Sequence, residues 1–461
     1  MNIKSGRSVV ALALVAERLE GTYLTRWLSL AAFGYVALAV STAIEASIFT
    51  RFGGRFGMAL AMFPAIVFCA ATVTALFRPM GGAQTLRDRA RQFLGTRTPA
   101  GLLLLLCTSS ALAADAGQAG SRIDSLLSQE YPAGKPGAAV LVAKAGNVIL
   151  KKCYGLADAE RMMPVTPETV FRLASATKVF TATAILMLAE QGKLALDDAV
   201  TKLLPDYPVP GQRITVTHLL SHTSGVADYL DRPDSMEWAR NEYTVQDLID
   251  ALKGRPAAFA AGEKSAYSNS NYLLLGAVIE KVSGIAFGQF VQTNIFGPLG
   301  MTSTSCSGTF GDVPNLAAAY EPARTADGQL DWSQLRVARP YTMSALYAAG
   351  GCVSSIEDLA RFCDALFKGR LLQARSLAES LEPVTLNNGT SGTMSRGGWQ
   401  LDKVRGRRAA MRGGALPGVC TWFLVMPDDD LVVILLSNRT PGKPRCGMLA
   451  VQISEIAIGS N

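Results

Sequence analysis

Apolar and polar positions follow one rhythm at the two ends of the chain's C-terminal three-quarters and another in the middle. Over Arg122–Gln129 the apolar residues fall at helical spacing. The stretch AAVLVAKAGNVILKKCYG that follows reads as two strands joined at Ala145-Gly146-Asn147. From Ser175 to Gly192 the pattern turns helical, with Ile185, Leu186 and Leu188 apolar and Gly192 placed to end the helix. Helix and loop signals dominate from 193 to about 380. SSIEDLARFCDALFKG is the cleanest, with Ser354 and Glu357 at capping-box spacing and Gly369 beyond the last turn. Strands then return in GGWQLDKV, RRAAMRGG, VCTWFLVMP and DLVVILLSN, ahead of a closing helix over Gly447–Ile458. This pattern predicts an α/β domain over residues 115–461. Its sheet is assembled from both ends and carries a large helical insertion. Asp115–Gly120, DAGQAG, reads as a linker.

Upstream the pattern is of another kind. Trp27–Ile44 and Phe56–Phe77 are uncharged runs of 18 and 22 residues, each long enough to cross a hydrocarbon core of ~30 Å as a helix. GLLLLLCTSSALAA, residues 101–114, is shorter, follows the basic stretch RDRARQFLGTRTP, and closes on small residues. Those are the three regions of a secretory signal peptide, with cleavage expected near Ala113 or Ala114. Residues 1–99 therefore admit two readings: two genuine spans, or a start at Met80 with everything before it untranslated. Both readings export residues 115–461 to the periplasm or cell envelope, anchored in the inner membrane if the spans are retained.

Charge follows the same division. The net charge of +7 arises in residues 1–114, which hold eleven Lys/Arg against four acids, while residues 115–461 hold 33 of each. A basic nucleic-acid-binding face finds no support in that balance. Six cysteines, at 153, 306, 352, 363, 420 and 446, lie in the domain. Their scatter suits buried apolar thiols better than a disulfide framework, and no C-x-x-C pair signals metal or redox chemistry.

Candidate chemistry begins at RLASATKVFTA, where Ser175 and Lys178 stand one helical turn apart. Residues at i and i+3 share a helix face. A lysine among apolar neighbours loses proton affinity by desolvation, so it can take a proton from a serine that must become a nucleophile. Tyr267-Ser268-Asn269 precedes a second helical pattern ending at Gly284, and supplies a phenol and an orienting amide. MRGGALPG follows strand-like residues, and its glycines let a substrate approach the backbone closely.

Ser175-Ala-Thr-Lys178 and Tyr267-Ser268-Asn269 resemble the S-x-x-K and Y-x-N motifs of class C-type serine β-lactamases and their esterase and D-peptidase relatives. ITVTHLLSHTSG, FGPLGMTST, AAGGCVSSIEDLARF and RGGALPGVCTWFLVMPDDDLVVILLSN extend the resemblance over about residues 122–458. It implies a β-lactamase/transpeptidase-like fold with an antiparallel sheet and flanking helices. It also implies an acyl-enzyme on Ser175, with Lys178 activating it and Tyr267 as the general base that later donates to the leaving group. Asn269 would orient the substrate, and the backbone N–H groups of Ser175 and Ala415 would form the oxyanion hole. The third motif departs from the family: Arg412-Gly413-Gly414 stands where Lys-Thr-Gly or a His-containing variant is usual. Arginine keeps the charge for a substrate carboxylate but relays no proton, and Gly413 lacks a hydroxyl. This weakens the case for β-lactam or D-Ala-D-Ala cleavage and leaves ester and amide hydrolysis open. Alternatively, Arg412 simply pairs with a nearby acid.

The expected substrate is thus a small ester, β-lactam or short peptide, with no metal and no organic cofactor. His218 and His222 are spaced like a zinc pair, but Leu219 occupies the place of the general-base glutamate in H-E-x-x-H. No G-x-S-x-G elbow is present. Asp428–Asp430 reads as a solvated turn. A second expectation is a membrane-tethered sensor or penicillin-binding protein that β-lactams acylate but that turns over slowly.

Overall fold

The computed structural model describes residues 117–459 except 206, 208–212, 340, 441, 443 and 444. The candidate spans 27–44 and 56–77 and the signal-like segment 100–114 lie outside the described residues. Among the described residues no single helix is long and apolar enough to cross a membrane.

Eight strands form one antiparallel sheet: β1 (Ala138–Lys144), β2 (Asn147–Tyr154), β3 (Pro383–Thr385), β4 (Ser391–Ser395), β5 (Gln400–Val404), β6 (Arg407–Leu416), β7 (Val419–Met426) and β8 (Leu431–Ser437). Their spatial order is β2-β1-β8-β7-β6-β5-β4-β3. The first strand of the domain therefore pairs with the last, Ala138 opposite Ser437 and Lys144 opposite Leu431. The expected sheet from both ends is what forms, and the hairpin turns at Ala145-Gly146 as the pattern predicts.

Successive residues of a strand face opposite sides, and β1 shows the consequence. Ala139 and Leu141 enter the large core beneath the helical insertion, while Ala138, Val140 and Val142 enter a second core on the other face. That second face is covered by α1 (residues 117–130) and by the C-terminal helix, α6 (Cys446–Ile458). Both faces being covered, β1, β7 and β8 are nearly continuous apolar runs, whereas β6 carries Arg407, Arg408 and Arg412. α1 begins inside the stretch expected to be linker.

Four further helices position the site: α2 (Lys178–Glu190), α3 (Asn269–Ser283), α4 (Met343–Gly350) and α5 (Ile356–Phe367). α2 is buried on nearly every side, with Phe180 making edge contacts with Phe296 and Phe362 at 5.0 and 4.7 Å. The cap of α5 falls one residue later than its sequence spacing indicates: Ser355, not Ser354, accepts the N–H of Asp358. Ser354 instead bonds Thr304 inside the core.

Four of the six domain cysteines are paired, as Cys306–Cys352 and Cys420–Cys446, against the expectation of free thiols. Cys153 and Cys363 remain free. Sequence scatter misleads here because partners 46 and 26 residues apart meet only through the tertiary fold. The acidic run lies in the turn between β7 and β8 as expected, with Asp428 and Asp430 exposed; Asp428 pairs with Arg408 at 2.9 Å and the largely covered Asp429 with Arg407.

Candidate active site

Ser175 does not open an α-helix directly. It sits in a 3-10 turn, Ala174–Thr177, that runs straight into α2. Ala174 just before it has φ 49°, a left-handed conformation costly for a residue with a Cβ. The surroundings hold it there: Leu173 N–H donates to Cys352 O at 2.9 Å, and Cys352 N–H donates to Thr177 Oγ1 at 3.1 Å. The Cys306–Cys352 disulfide anchors the residue that makes both bonds.

One turn on, Lys178 is fully buried. Its Nζ lies 2.7 Å from Ala349 O, 2.8 Å from Asn269 Oδ1 and 3.2 Å from Ser175 Oγ. Burial holds this amine well below the ordinary lysine range. The Arg412 guanidinium adds to that effect, and Asp228 opposes it. A neutral amine has two N–H groups and one lone pair. Nζ stands as donor to Ser175 Oγ, but in the neutral form the two shortest contacts, to oxygens that can only accept, would take both N–H groups and leave a lone pair for the serine hydroxyl. Ala349 O reaches this position because Tyr347, at φ 40°, breaks the helical path inside α4. The two carbonyls after that break dock onto α2, Ala348 O on Thr181 and Ala349 O on Lys178.

Tyr267 and Asn269 come from the segment that feeds α3. Tyr267 OH is 2.6 Å from Ser175 Oγ and 3.2 Å from Asn269 Oδ1. The ring is exposed to the cleft, while burial around its hydroxyl raises the pKa, against the opposing pull of Arg412 and the bond to Ser175. The phenol is therefore protonated at neutral pH. Asn269 is held from behind, its backbone N–H and Nδ2 both donating to Asp228 Oδ2 at 2.9 Å. This fixes the amide so that Oδ1 faces Lys178 and Tyr267. Asp228 and the Ala349 carbonyl carry no motif in the sequence, and only the fold brings them to the site.

The two histidines serve elsewhere. His218 completes a reciprocal cap with Thr215. His222 is buried beneath the Tyr267 ring, 4.7 Å between centroids, and its Nδ1 accepts the Ser268 N–H at 3.1 Å. It thus fixes the backbone between Tyr267 and Asn269.

Strand β6 closes the other wall. Gly414 packs backbone to backbone on the nucleophile's turn: a Cβ there would lie 2.1 Å from Leu173 O and 3.1 Å from Ser175 N. Gly413 faces Trp422 across the β6–β7 ladder, and a Cβ would meet that indole at 2.1 Å. The missing hydroxyl of the third motif thus has a packing cause: Trp422 occupies its room. Arg412 is buried, its Nε and Nη2 donating to Gly398 O, with the guanidinium 5.9 Å from the Tyr267 ring. No carboxylate pairs with it among the described residues, so the ion-pair alternative is not what the fold makes. Ser175, Tyr267, Arg412, Gly413, Gly414 and Ala415 all line one cleft of ≈ 840 Å³. The structure thus brings the sequence-expected site residues together.

Comparison with known proteins shows the family and the fold. Residues 125–456 match the Beta-lactamase family. The chain is 33% identical over 311 residues to Penicillin-binding protein 4* of Bacillus subtilis, covering 65% of this chain and 67% of that one. It superposes on the octameric penicillin-binding protein homologue of Pyrococcus abyssi with TM-score 0.63 and 26% identity, covering 74% and 78% of the two chains. A D-stereospecific amidohydrolase from a Streptomyces species superposes with TM-score 0.58 and 27% identity, covering 71% of this chain and 94% of the other. The chain belongs to the Beta-lactamase family of serine hydrolases and penicillin-binding proteins, and has their fold.

Proposed function

We propose that residues 115–461 form an exported serine hydrolase that cleaves an amide, ester or β-lactam bond through an acyl-enzyme on Ser175. The observation that carries the reading is the contact set of Lys178. A fully buried amine whose N–H groups are both spent on other oxygens is poised to accept the Ser175 proton.

In the first step Ser175 Oγ bonds to the substrate carbonyl carbon and its proton passes to Lys178 Nζ. The carbonyl electrons move onto oxygen, facing the backbone N–H groups of Ser175 and Ala415. Collapse expels the leaving group, which takes the Tyr267 proton, and the phenolate recovers a proton from the lysinium. Water then attacks the ester by the same route in reverse and frees Ser175. Arg412 supplies a fixed positive charge for a substrate carboxylate. The two disulfides support export, since such bonds persist in oxidising compartments.

The test exposes wild type and Ser175→Ala to a fluorescent penicillin and to a p-nitrophenyl ester. Label and turnover should both vanish in the variant, and their survival would overturn the assignment of Ser175. A stable label without turnover would instead identify a slow penicillin-binding protein, in keeping with the name of the Bacillus subtilis relative.

A further inference from the structure

Residues 115–461 are electrically balanced, yet the cleft is not. Among the described residues four arginines, 324, 336, 412 and 445, line it with a single acid, Glu321. Glu321 pairs with Arg336 at 3.0 Å. The other three have no carboxylate partner among the described residues. Arg412 is held by the Gly398 carbonyl and Arg324 by the Gly328 carbonyl at 2.8 Å. Such vacancy is not general in this protein: 13 of the 20 described arginines lie within 4.0 Å of an acid. Three of the seven that do not are gathered in the one cleft that holds the nucleophile.

Position adds to charge. Arg445 and Thr440 line both this cleft and a second cavity of ≈ 580 Å³, whose wall includes the half-exposed indole of Trp332. Arg445 therefore stands where a ligand too long for the catalytic cleft would continue. A cleft lined by one sign of charge focuses its field and raises the local concentration of the opposite ion. Guanidinium groups match the planar oxygens of carboxylate and phosphate in two-point contact.

Resting on the serine-hydrolase reading above, we propose that the substrate is an extended acyl ester or amide with a carboxylate or phosphate remote from the scissile bond, bound at Arg445. This anion is distinct from any group that Arg412 receives beside Ser175.

Two measurements test this. The first compares kcat/KM for aryl esters matched in size and acyl group, with the leaving group neutral, carboxylated or phosphorylated. The anionic esters should lead by about tenfold at low salt, an advantage that shrinks as added salt screens the charges. Arg445→Gln should cut the ratio of anionic to neutral kcat/KM severalfold, and equal values across the series would overturn the proposal. The second measurement needs no turnover. Citrate and pyrophosphate are titrated into Ser175→Ala by tryptophan fluorescence, with and without Arg445→Gln. Saturable binding weakened at least fivefold by the arginine change is expected, and the tighter of the two ligands tells carboxylate from phosphate. Binding indifferent to Arg445, or none, would overturn the anion site even if Ser175 proves to be the nucleophile. Conversely, a Ser175→Ala protein that still turns over esters while citrate binding depends on Arg445 would refute the mechanism and leave the anion site standing.

Discussion

The two walls of the cleft are built on opposite principles. On the α2–α3 side the named polar groups are committed to protein partners: Lys178 to Ala349, Asn269 and Ser175, and Asn269 in turn to Asp228. On the β6 side the charges are left over, with Arg412 on a carbonyl and Arg445 unpaired among the described residues. The first wall offers the substrate only Ser175 and Tyr267, which line the cleft, and keeps the rest for its own proton transfers. The second is open to a partner that the chain does not supply. Fixed geometry is what chemistry requires, and uncommitted charge is what recognition requires.

Breaking the first wall should cost most. Ser175→Ala should lower ester turnover by at least ~10³-fold, as loss of a nucleophile does elsewhere, measured by steady-state release of p-nitrophenol. Asp228→Asn should follow. It removes a charged hydrogen bond of about 2 kcal/mol, so kcat should fall roughly 30-fold, with KM moving less because substrate does not touch Asp228. A kcat unchanged in that variant would mean that Asn269 is oriented by something else.

The second wall breaks more gently. Restoring the family residue with Gly413→Thr should drive a side chain into Trp422 and destabilise the fold by ~1–3 kcal/mol, read as a lowered Tm. The clash should couple to Trp422→Ala in a double-mutant cycle, with an interaction of at least ~1 kcal/mol. Additive effects would refute the packing cause. Smallest is a shift in pH dependence. Acylation needs neutral Lys178, so its rate falls as pH drops through the lysine pKa. Arg412 helps hold that pKa down. Arg412→Gln should therefore move the acid limb of the acylation profile to higher pH, and a limb that stayed in place would uncouple the two walls.

Sequence and fold agree where the information is local. Short apolar runs bounded by turn signals located β1, β2, β7 and β8, and the spacing of Ser175 and Lys178 placed them on one face. The reading fell short where meaning lay in distant partners. Asp228 is one polar residue in a loop until α3 brings Asn269 to it. Cys306 and Cys352 are 46 positions apart with nothing to link them on paper. Gly413 looked like a lost function, and Trp422, across the ladder, shows it to be a matter of room. Position 355 differs for another reason: adjacent serines 354 and 355 both satisfy a cap by composition, and only the core contact with Thr304 decides between them.

The pairing of β1 with β8 sets the order in which this protein can mature. Residues some 300 positions apart must meet before the sheet closes, and closing such a loop is slow relative to local structure. While the polypeptide is still being made, β1 has only its hairpin partner β2, and β6, which packs on the nucleophile's turn, has no β7 and β8 behind it. The catalytic pocket is therefore complete only once β8 has joined β1. Until then Ser175 and Lys178 stand without the backbone wall that Gly414 of β6 packs against them.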